Sequence, residues 1–458
     1  MSLSRYLSIG SALLVAMILT RLLDEDVYGS YRKLWLIYAI LGPVLISSIT
    51  NTLYYRGNGA NRDESIVVNL LLGLLYGIGI GGIAWLLAPF WATQLNIPEL
   101  ADGFRMFAPY MVFAVFAGIA EPLFVVLNRK KWLIGYGIGY NTLESALIVV
   151  PFAVGMEIKD VVLIMSIGPA IRSLCVIFIS FSQIKKWPDW GSIRKEFPVS
   201  FKYGLGIITL SIAGIAATEA DKWVIGSFFE SDALFAIYVI GAKKIPFITA
   251  LTAVVSATIV SEFAEKLRIG SVAEAMTEAR KASSRLSLII IPLVVWLFIY
   301  AEEVMILLFG KYEASAPVFR VYILTVLSQL IFPQSIALGA GRSDVNAKAG
   351  ILEVLINISL SIMLVMWIGF IGPAIATLVS HFFFTGLMLW FCKRTYNIKV
   401  KEFMPDKRIS VLLWILPVVL LLGVLLKYVQ DWNWIGFIMT GVVAGVLIAL
   451  ALKKSGFR

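Results

Sequence analysis

Apolar runs of about 20 residues, each closed by a short charged stretch, recur from one end of the chain to the other. As a helix rising about 1.5 Å per residue, a run of that length covers the roughly 30 Å hydrocarbon core of a bilayer. Fourteen such spans are predicted. The first six lie near 4–22, 32–54, 65–90, 104–127, 133–155 and 160–182, and the next six near 203–226, 233–262, 284–308, 317–339, 347–367 and 370–392. Two more follow near 409–427 and 433–452. The run from Leu7 leads to Arg21-Leu22-Leu23-Asp24 with no small-residue cleavage pattern, and it reads as the first span.

The polar positions between the spans alternate in charge. With the N-terminus in the cytoplasm, the inside segments hold 27 of the 39 Lys and Arg residues, from Arg5 through Arg56, Arg62, Arg129, Lys185, Lys399 and on to Arg458. Basic residues stay on the cytoplasmic side of short loops. Adding or dropping a span would scramble the alternation, so both termini are expected inside.

The pattern also repeats. Ile167-Gly168-Pro169-Ala170-Ile171 returns as Ile371-Gly372-Pro373-Ala374-Ile375, and Tyr28-Gly29-Ser30-Tyr31 is echoed by Phe235-Ala236-Ile237-Tyr238. Six spans separate the copies, an even number, so both copies cross in the same direction. The expected architecture is an all-α integral membrane protein with two six-helix lobes. A pseudo-twofold axis along the membrane normal relates the lobes. The boundaries are 1–182 for the first lobe, 183–202 for a basic cytoplasmic linker, 203–395 for the second lobe, and 396–458 for two extra helices and a tail. Residues 263–283 carry Phe263, Leu267, Val272 and Met276 among charges, which suits a surface helix or a plain connector.

Composition agrees: 59% of residues are hydrophobic and 15% charged, too apolar for a soluble domain. Most of the excess behind the net charge of +10 lies in short loops and gives no basic, aromatic-interleaved face for nucleic acid. Cys175 and Cys392 both fall in or at the end of spans and have no metal-ligand spacing. Gly310-Lys311 lacks the remaining positions of a phosphate-cradling loop, so no nucleotide or other cofactor is expected.

The candidate chemistry is therefore the set of charges inside the spans, each costing about 2.5–3.5 kcal/mol at a helix centre unless a cavity or partner receives it. Lys243 and Lys244 lie about ten residues into span 8, near mid-membrane, and on a continuous helix would point about 100° apart. Pro246 follows and loosens the helix. A wet cavity or a structural salt bridge would each explain the two lysines. Tyr28, Tyr31, Arg32 and Trp35 share one face of span 2, either along a polar path or as an interfacial belt with Lys33. Arg21 and Lys222 stand at span ends with the same two readings. Arg172 sits mid-span in span 6, where the second copy has Ala376. Glu144 and Glu353 occupy matching places in spans 5 and 11, which favours a structural pairing. Glu121, Glu219 and Asp221 are candidate proton or cation sites, and His381 is the sole histidine.

At this point the residues carry a resemblance. Asp221-Lys222-Trp223-Val224-Ile225-Gly226, with Ile237-Tyr238 and Ala242-Lys243 after it, resembles the Asp-Arg/Lys…Ile-Gly…Tyr…Ala pattern of polysaccharide flippases. Thr20-Arg21-Leu22-Leu23 with Tyr28-Gly29 is similar to the opening loop of that family. Leu307-Leu308-Phe309-Gly310-Lys311-Tyr312 and Gly372-Pro373-Ala374-Ile375-Ala376-Thr377 resemble its later turns. The family is the Wzx-type flippases of lipid-linked oligosaccharide, in the superfamily that holds MATE exporters and lipid II flippases. The resemblance implies two lobes around a cationic cavity lined by spans 1, 2, 7 and 8, alternating access, and no catalysis. It implies a polyprenyl-diphosphate-linked sugar as cargo, membrane lipids as surroundings, and a polysaccharide polymerase or glycosyltransferases as pathway partners, in the cell membrane. Arg21, Arg32, Lys33, Lys222, Lys243 and Lys244 fall on those four spans and are the expected substrate-binding residues. Glu121, Glu144, Arg172, Glu219, Asp221 and Glu353 are kept as coupling or structural residues. Rival readings are a lipid II flippase and a MATE-like cation exporter, although span 1 has no carboxylate between Ser4 and Leu23 for a cation. A membrane glycosyltransferase fits least, because the outer loops are short.

Overall fold

The computed structural model describes residues 2–57, 62–184, 186–428 and 433–454. Lys185 and Arg458, counted above among the inside charges, lie outside the described residues. The elements are helical throughout. With no water in hydrocarbon to receive backbone N–H and C=O groups, a helix satisfies them within one segment. Among the described residues, 11 helices are long and apolar enough to cross a membrane, or 12 if one bent pair is a single span. Shorter apolar helices occupy Ser8–Leu22 and Asp232–Gly241.

Two units pack separately, Met1–Ala236 and Ile237–Arg458. The first contains α1 (Ser2–Leu22), α2 (Glu25–Arg56), α3 (Arg62–Leu86), α4 (Ala88–Gln94), α5 (Ala101–Ala117) and α6 (Ala120–Val126). It continues with α7 (Lys130–Ala153), α8 (Ile158–Ile164), α9 (Ile167–Gln183) and α10 (Trp190–Phe228). α2 packs on α3, α5 and α10, and α1 packs on α7. The α3–α5 contact is close because Gly73, Gly77 and Gly81 recur every fourth residue along one face of α3. A Cβ at Gly77 would lie 2.6 Å from the Val112 carbonyl oxygen. Small residues at this spacing let transmembrane backbones approach where no hydrophobic force drives helices together.

α10 departs from the sequence reading. The connector expected over 183–202 is largely helix. Asp189 caps Trp190 onward by accepting from the Ser192 backbone N–H at 3.1 Å and its hydroxyl at 2.7 Å. The 39-residue helix then runs straight into the seventh span. At about 1.5 Å per residue it is roughly twice the hydrocarbon thickness. Its start is fastened by Arg56, which forks onto Glu196 at 2.8 and 2.5 Å.

The helix α11 (Asp232–Gly241) carries the chain from the first unit into the second. The second unit adds α12 (Pro246–Arg268), α13 (Val272–Ile299), α14 (Ala301–Phe309), α15 (Ala316–Thr325) and α16 (Pro333–Gly339). It ends with α17 (Ser343–Ile368), α18 (Gly372–Tyr396), α19 (Val400–Phe403), α20 (Leu412–Tyr428) and α21 (Asn433–Lys454). Residues 263–283 form neither a separate surface helix nor a separate connector helix. α12 runs to Arg268, Gly270 turns with φ +77°, and α13 begins at Val272.

The repeated Ile-Gly-Pro-Ala-Ile opens α9 in one unit and α18 in the other, where Pro in the first turn costs no hydrogen bond. Gly372 presses on the Leu364 backbone, so α17 and α18 form a tight antiparallel pair. α20 and α21 lie on α13 through Leu288, Leu412, Ile415, Val419, Ala444 and Ala451. Trp296 donates to the Phe437 carbonyl at 3.1 Å, and Lys427 reaches Glu302 at 2.8 Å. Exposed side chains such as Leu75, Ile78, Phe178, Trp367, Trp414 and Leu421 are apolar, which suits a lipid solvent.

Candidate functional site

Span 8 is broken where its two lysines stand. α11 ends at Gly241, Ala242 turns, Lys243 to Ile245 are non-helical, and α12 restarts at Pro246. The sequence says why. Proline lacks an N–H and disfavours helix in the residue before it, and Ile245 is extended with φ −76° and ψ 117°. The expectation that Lys243 and Lys244 splay around a continuous helix is therefore corrected: they occupy a break, and the backbone rather than the helical period aims them. The end of α11 is anchored because Gly241 packs on the Ser315 carbonyl and Val318, and Ser315 donates to the Ile237 carbonyl at 2.7 Å.

Span 10 breaks as well. α15 ends at Thr325, residues 326–330 form a 3-10 turn, and α16 departs at 45°. Hydroxyl groups meet the freed carbonyls: Ser283 donates to Leu330, and Thr385 to Ser328 at 3.5 Å. A small cavity of about 20 Å³ adjoins both breaks, lined by Lys243, Lys244, Thr249, Tyr322, Thr325 and Gln329 among others. Its space is about that of one water.

A helix start leaves its first N–H groups without intrahelical acceptors, and the N-cap residue of α12, Ile245, makes no side-chain cap. The start of a helix also carries about half a positive charge. Two ammonium groups directly before it make a positive, hydrogen-bond-donating locus within a span. Broken helices in transporters present such ends to anionic groups.

The remaining candidates lie in the first unit. Lys33 is fully buried and paired with Asp232 Oδ1 at 2.5 Å. Asp232 also receives the Ser30 hydroxyl, and Lys33 stands 5.7 Å from the Phe235 ring centroid. Asp26 accepts from the Ala233 N–H at 3.0 Å. Together these contacts clamp the start of α2 to the start of α11. Asp232 was not among the expected residues; its signal was its place one turn before the echoed Phe235-Ala236-Ile237-Tyr238. Lys222 lies 3.3 Å from Glu219 and 3.6 Å from Asp221, donates to the Thr218 carbonyl, and feels the like charge of Arg32. Arg32 Nε is buried without a hydrogen-bond partner among the described residues. Arg21 is exposed and donates to the Met17 carbonyl at 2.8 Å.

The rings of the span 2 stripe pack on aromatic rings of α5 and α7. Tyr31 meets Phe152 edge-on at 5.3 Å, and Trp35 meets Phe107 and Tyr110 at 5.1 and 5.2 Å. Arg172 donates from Nε to the Tyr136 hydroxyl at 2.7 Å and lies 4.3 Å from the Tyr140 ring centroid. Tyr136 and Tyr140 are four residues apart on α7, a spacing legible in the sequence. Glu144, one further turn along, accepts from Tyr110 at 2.6 Å. Glu121 joins Arg172, Tyr136, Tyr140 and Asn141 around a cavity of about 140 Å³. In the second unit Glu353 pairs with His381. Among the described residues no cluster of His, Cys, Asp and Glu could hold a metal ion.

Comparison with known proteins follows this geometry. The family profile described as "Polysaccharide biosynthesis protein" matches residues 18–317. No curated protein matches the chain in sequence. Among solved structures, the lipid II flippase MurJ in an inward closed conformation is similar with a TM-score of 0.73 and 16% identity, over 99% of this chain and 98% of that one. An inward-facing multidrug resistance MATE transporter of the MOP superfamily has a TM-score of 0.59 and 16% identity, over 87% and 96%. The eukaryotic MATE transporter AtDTX14 has a TM-score of 0.61 and 14% identity, over 85% and 93%. At such identities these structures establish the fold: a multi-pass, all-helical architecture shared with membrane transporters. The profile, which covers most of the chain, establishes the family, and the protein belongs to the polysaccharide biosynthesis protein family.

Proposed function

We propose that this protein is a flippase. It moves polyprenyl-diphosphate-linked oligosaccharide from the cytoplasmic to the outer leaflet by alternating access, without chemical conversion. The observation that carries the proposal is the break in span 8, where Lys243 and Lys244 stand before the start of α12. A diphosphate is the chemistry that two ammonium groups and a helix start suit. An organic cation would be repelled there, which disfavours the exporter reading. The family and the similarity to a lipid II flippase support a lipid-linked cargo.

Several finer points belong to the same reading. The chain crosses fourteen times: each predicted span has a helical counterpart, with Ser8–Leu22 as the first and α17 and α18 as the eleventh and twelfth. Both termini are cytoplasmic and the membrane is the cell membrane. Arg32 and Lys222, in the first unit, are further anion contacts. Lys33 is left out because Asp232 holds it, and Arg21 serves the end of α1. A second reading, lipid II as cargo, is favoured by the similarity to MurJ and uses the same diphosphate chemistry.

The test is reconstitution in liposomes with lipid-linked oligosaccharide loaded in one leaflet. K243Q/K244Q is expected to cut the crossing rate at least about 100-fold, since hydrogen bonds to charged groups contribute about 1.5–3 kcal/mol each. Unchanged crossing at equal protein levels would remove both lysines from the site. Lipid II crossing faster than undecaprenyl-diphosphate oligosaccharide would select the second reading.

A further inference from the structure

One buried pair in the second unit has no part in the anion site. Glu353 on α17 and His381 on α18 meet across the helix pair, with Glu353 Oε1 2.6 Å from His381 Nδ1. Side-chain exposure is 8% for the carboxylate and 19% for the ring, so the acid is buried while the imidazole keeps an edge open. A file of buried polar groups continues along the same seam. Asn357 donates to Thr377 at 3.2 Å and Ser380 at 3.1 Å, and Ser361 donates to Asn357 at 3.2 Å. Glu353, Asn357 and Ser361 recur every four residues, so this face of α17 is polar over two turns.

The elements packed on this seam are α15, α16, the 3-10 turn before α16, and the 3-10 turn Gly369–Ile371, which has no titratable group. Their titratable groups are Arg320 and Tyr322 on α15; α16 and the turn carry none. Arg320 is held by Glu302 at 2.9 Å and the Phe298 carbonyl at 3.1 Å. On α17 itself, Asp344 is taken by Arg342, and Lys348 is exposed about 140° around the helix from Glu353. On α18, Cys392, Lys393, Arg394 and Tyr396 lie about three turns beyond His381. The counter-group built against Glu353 is thus an imidazole.

The repeat sharpens this. Leu143-Glu144 matches Leu352-Glu353. In the first unit, Glu144 accepts from Tyr110 and lies in the field of Arg172, whose guanidinium does not lose its proton. The place matching Arg172 is Ala376, and a titratable ring stands on the same helix at His381. In one copy the carboxylate takes a tyrosine hydroxyl, and in the other it meets an imidazole.

We propose that Glu353 and His381 form a proton-binding site through which pH acts on transport. A proton taken up at the open edge of His381 completes an ion pair that draws α18 onto α17. Its release leaves a buried carboxylate beside a neutral ring and loosens the seam. The transport half of this proposal rests on the flippase reading; the proton site itself does not.

The chain has a single histidine, so ¹⁵N-histidine labelling of the full-length protein in lipid nanodiscs reports this ring alone. A change of pH is expected to convert the ring between its doubly and singly protonated forms, and E353Q to displace that conversion. A ring that keeps one form throughout, or that titrates identically in E353Q, overturns the proposal. In liposomes, E353Q and H381Q are each expected to lose the pH dependence of oligosaccharide crossing shown by the wild type. Crossing with an unchanged pH profile in both variants overturns the role in transport and leaves the flippase reading standing. No crossing by the wild type sinks the flippase reading, and the nitrogen spectra still decide the proton site.

Discussion

Lys33 illustrates how much a single residue's role depends on its partner. From the sequence it was one of several intramembrane cations. In the structure it is the buried half of an ion pair with Asp232, a residue far along the chain. Removing one partner of a buried pair leaves an uncompensated charge, at about 3–5 kcal/mol, whereas replacing both by apolar groups is often neutral. D232A is therefore expected to lower the thermal unfolding temperature in detergent strongly, and K33M/D232L to recover most of it. Equal loss in the single and double variants would show that the pair is not what holds α2 to α11. Arg172 behaves similarly: its two tyrosines were visible as a four-residue spacing on α7, but their contact with a helix two elements away was not.

At the scale of elements, local rules explain much. The α3 glycines form a ladder that only a small residue tolerates. G77V drives a side chain into the Val112 carbonyl and is expected to cost about 1–3 kcal/mol, read as a lower unfolding temperature. G79A, which meets nothing within 4 Å, is the control and should unfold like the wild type. The start of α10 depends on Asp189, whose carboxylate is held below the usual range by the Ser192 hydroxyl and N–H. A carboxyl lowered in the folded state stabilises above its unfolded pKa and stops doing so as pH falls through the lowered value. Amide exchange in the first turn of α10 should therefore accelerate only in acid below the ordinary aspartate range. Acceleration already at neutral pH would count against the cap.

At the scale of the whole molecule, the fourteen-span reading predicts which loops share a side. In a chain lacking Cys175 and Cys392, single cysteines replacing Lys186 and Lys399 are expected to react with impermeant thiol reagents only from the cytoplasm. Cysteines replacing Lys159 and Lys311 should react only from outside. Labelling of the first two positions from opposite faces would end the equal orientation of the repeats.

The sequence alone determined the membrane class, the helical architecture, the repeat and the family, because hydropathy sums over about 20 neighbouring residues and motifs lie within a few turns. It also located the charges that fall within spans. Only the tertiary structure decided what those charges do. Lys33 with Asp232, Arg172 with Tyr136 and Tyr140, and Glu353 with His381 depend on the rotation and register of helices distant in sequence. The break in span 8 lies between these cases. Pro246 announced it, but hydropathy averages across a few non-helical residues, so it took the folded backbone to put Lys243 and Lys244 at a helix start rather than on a helix face.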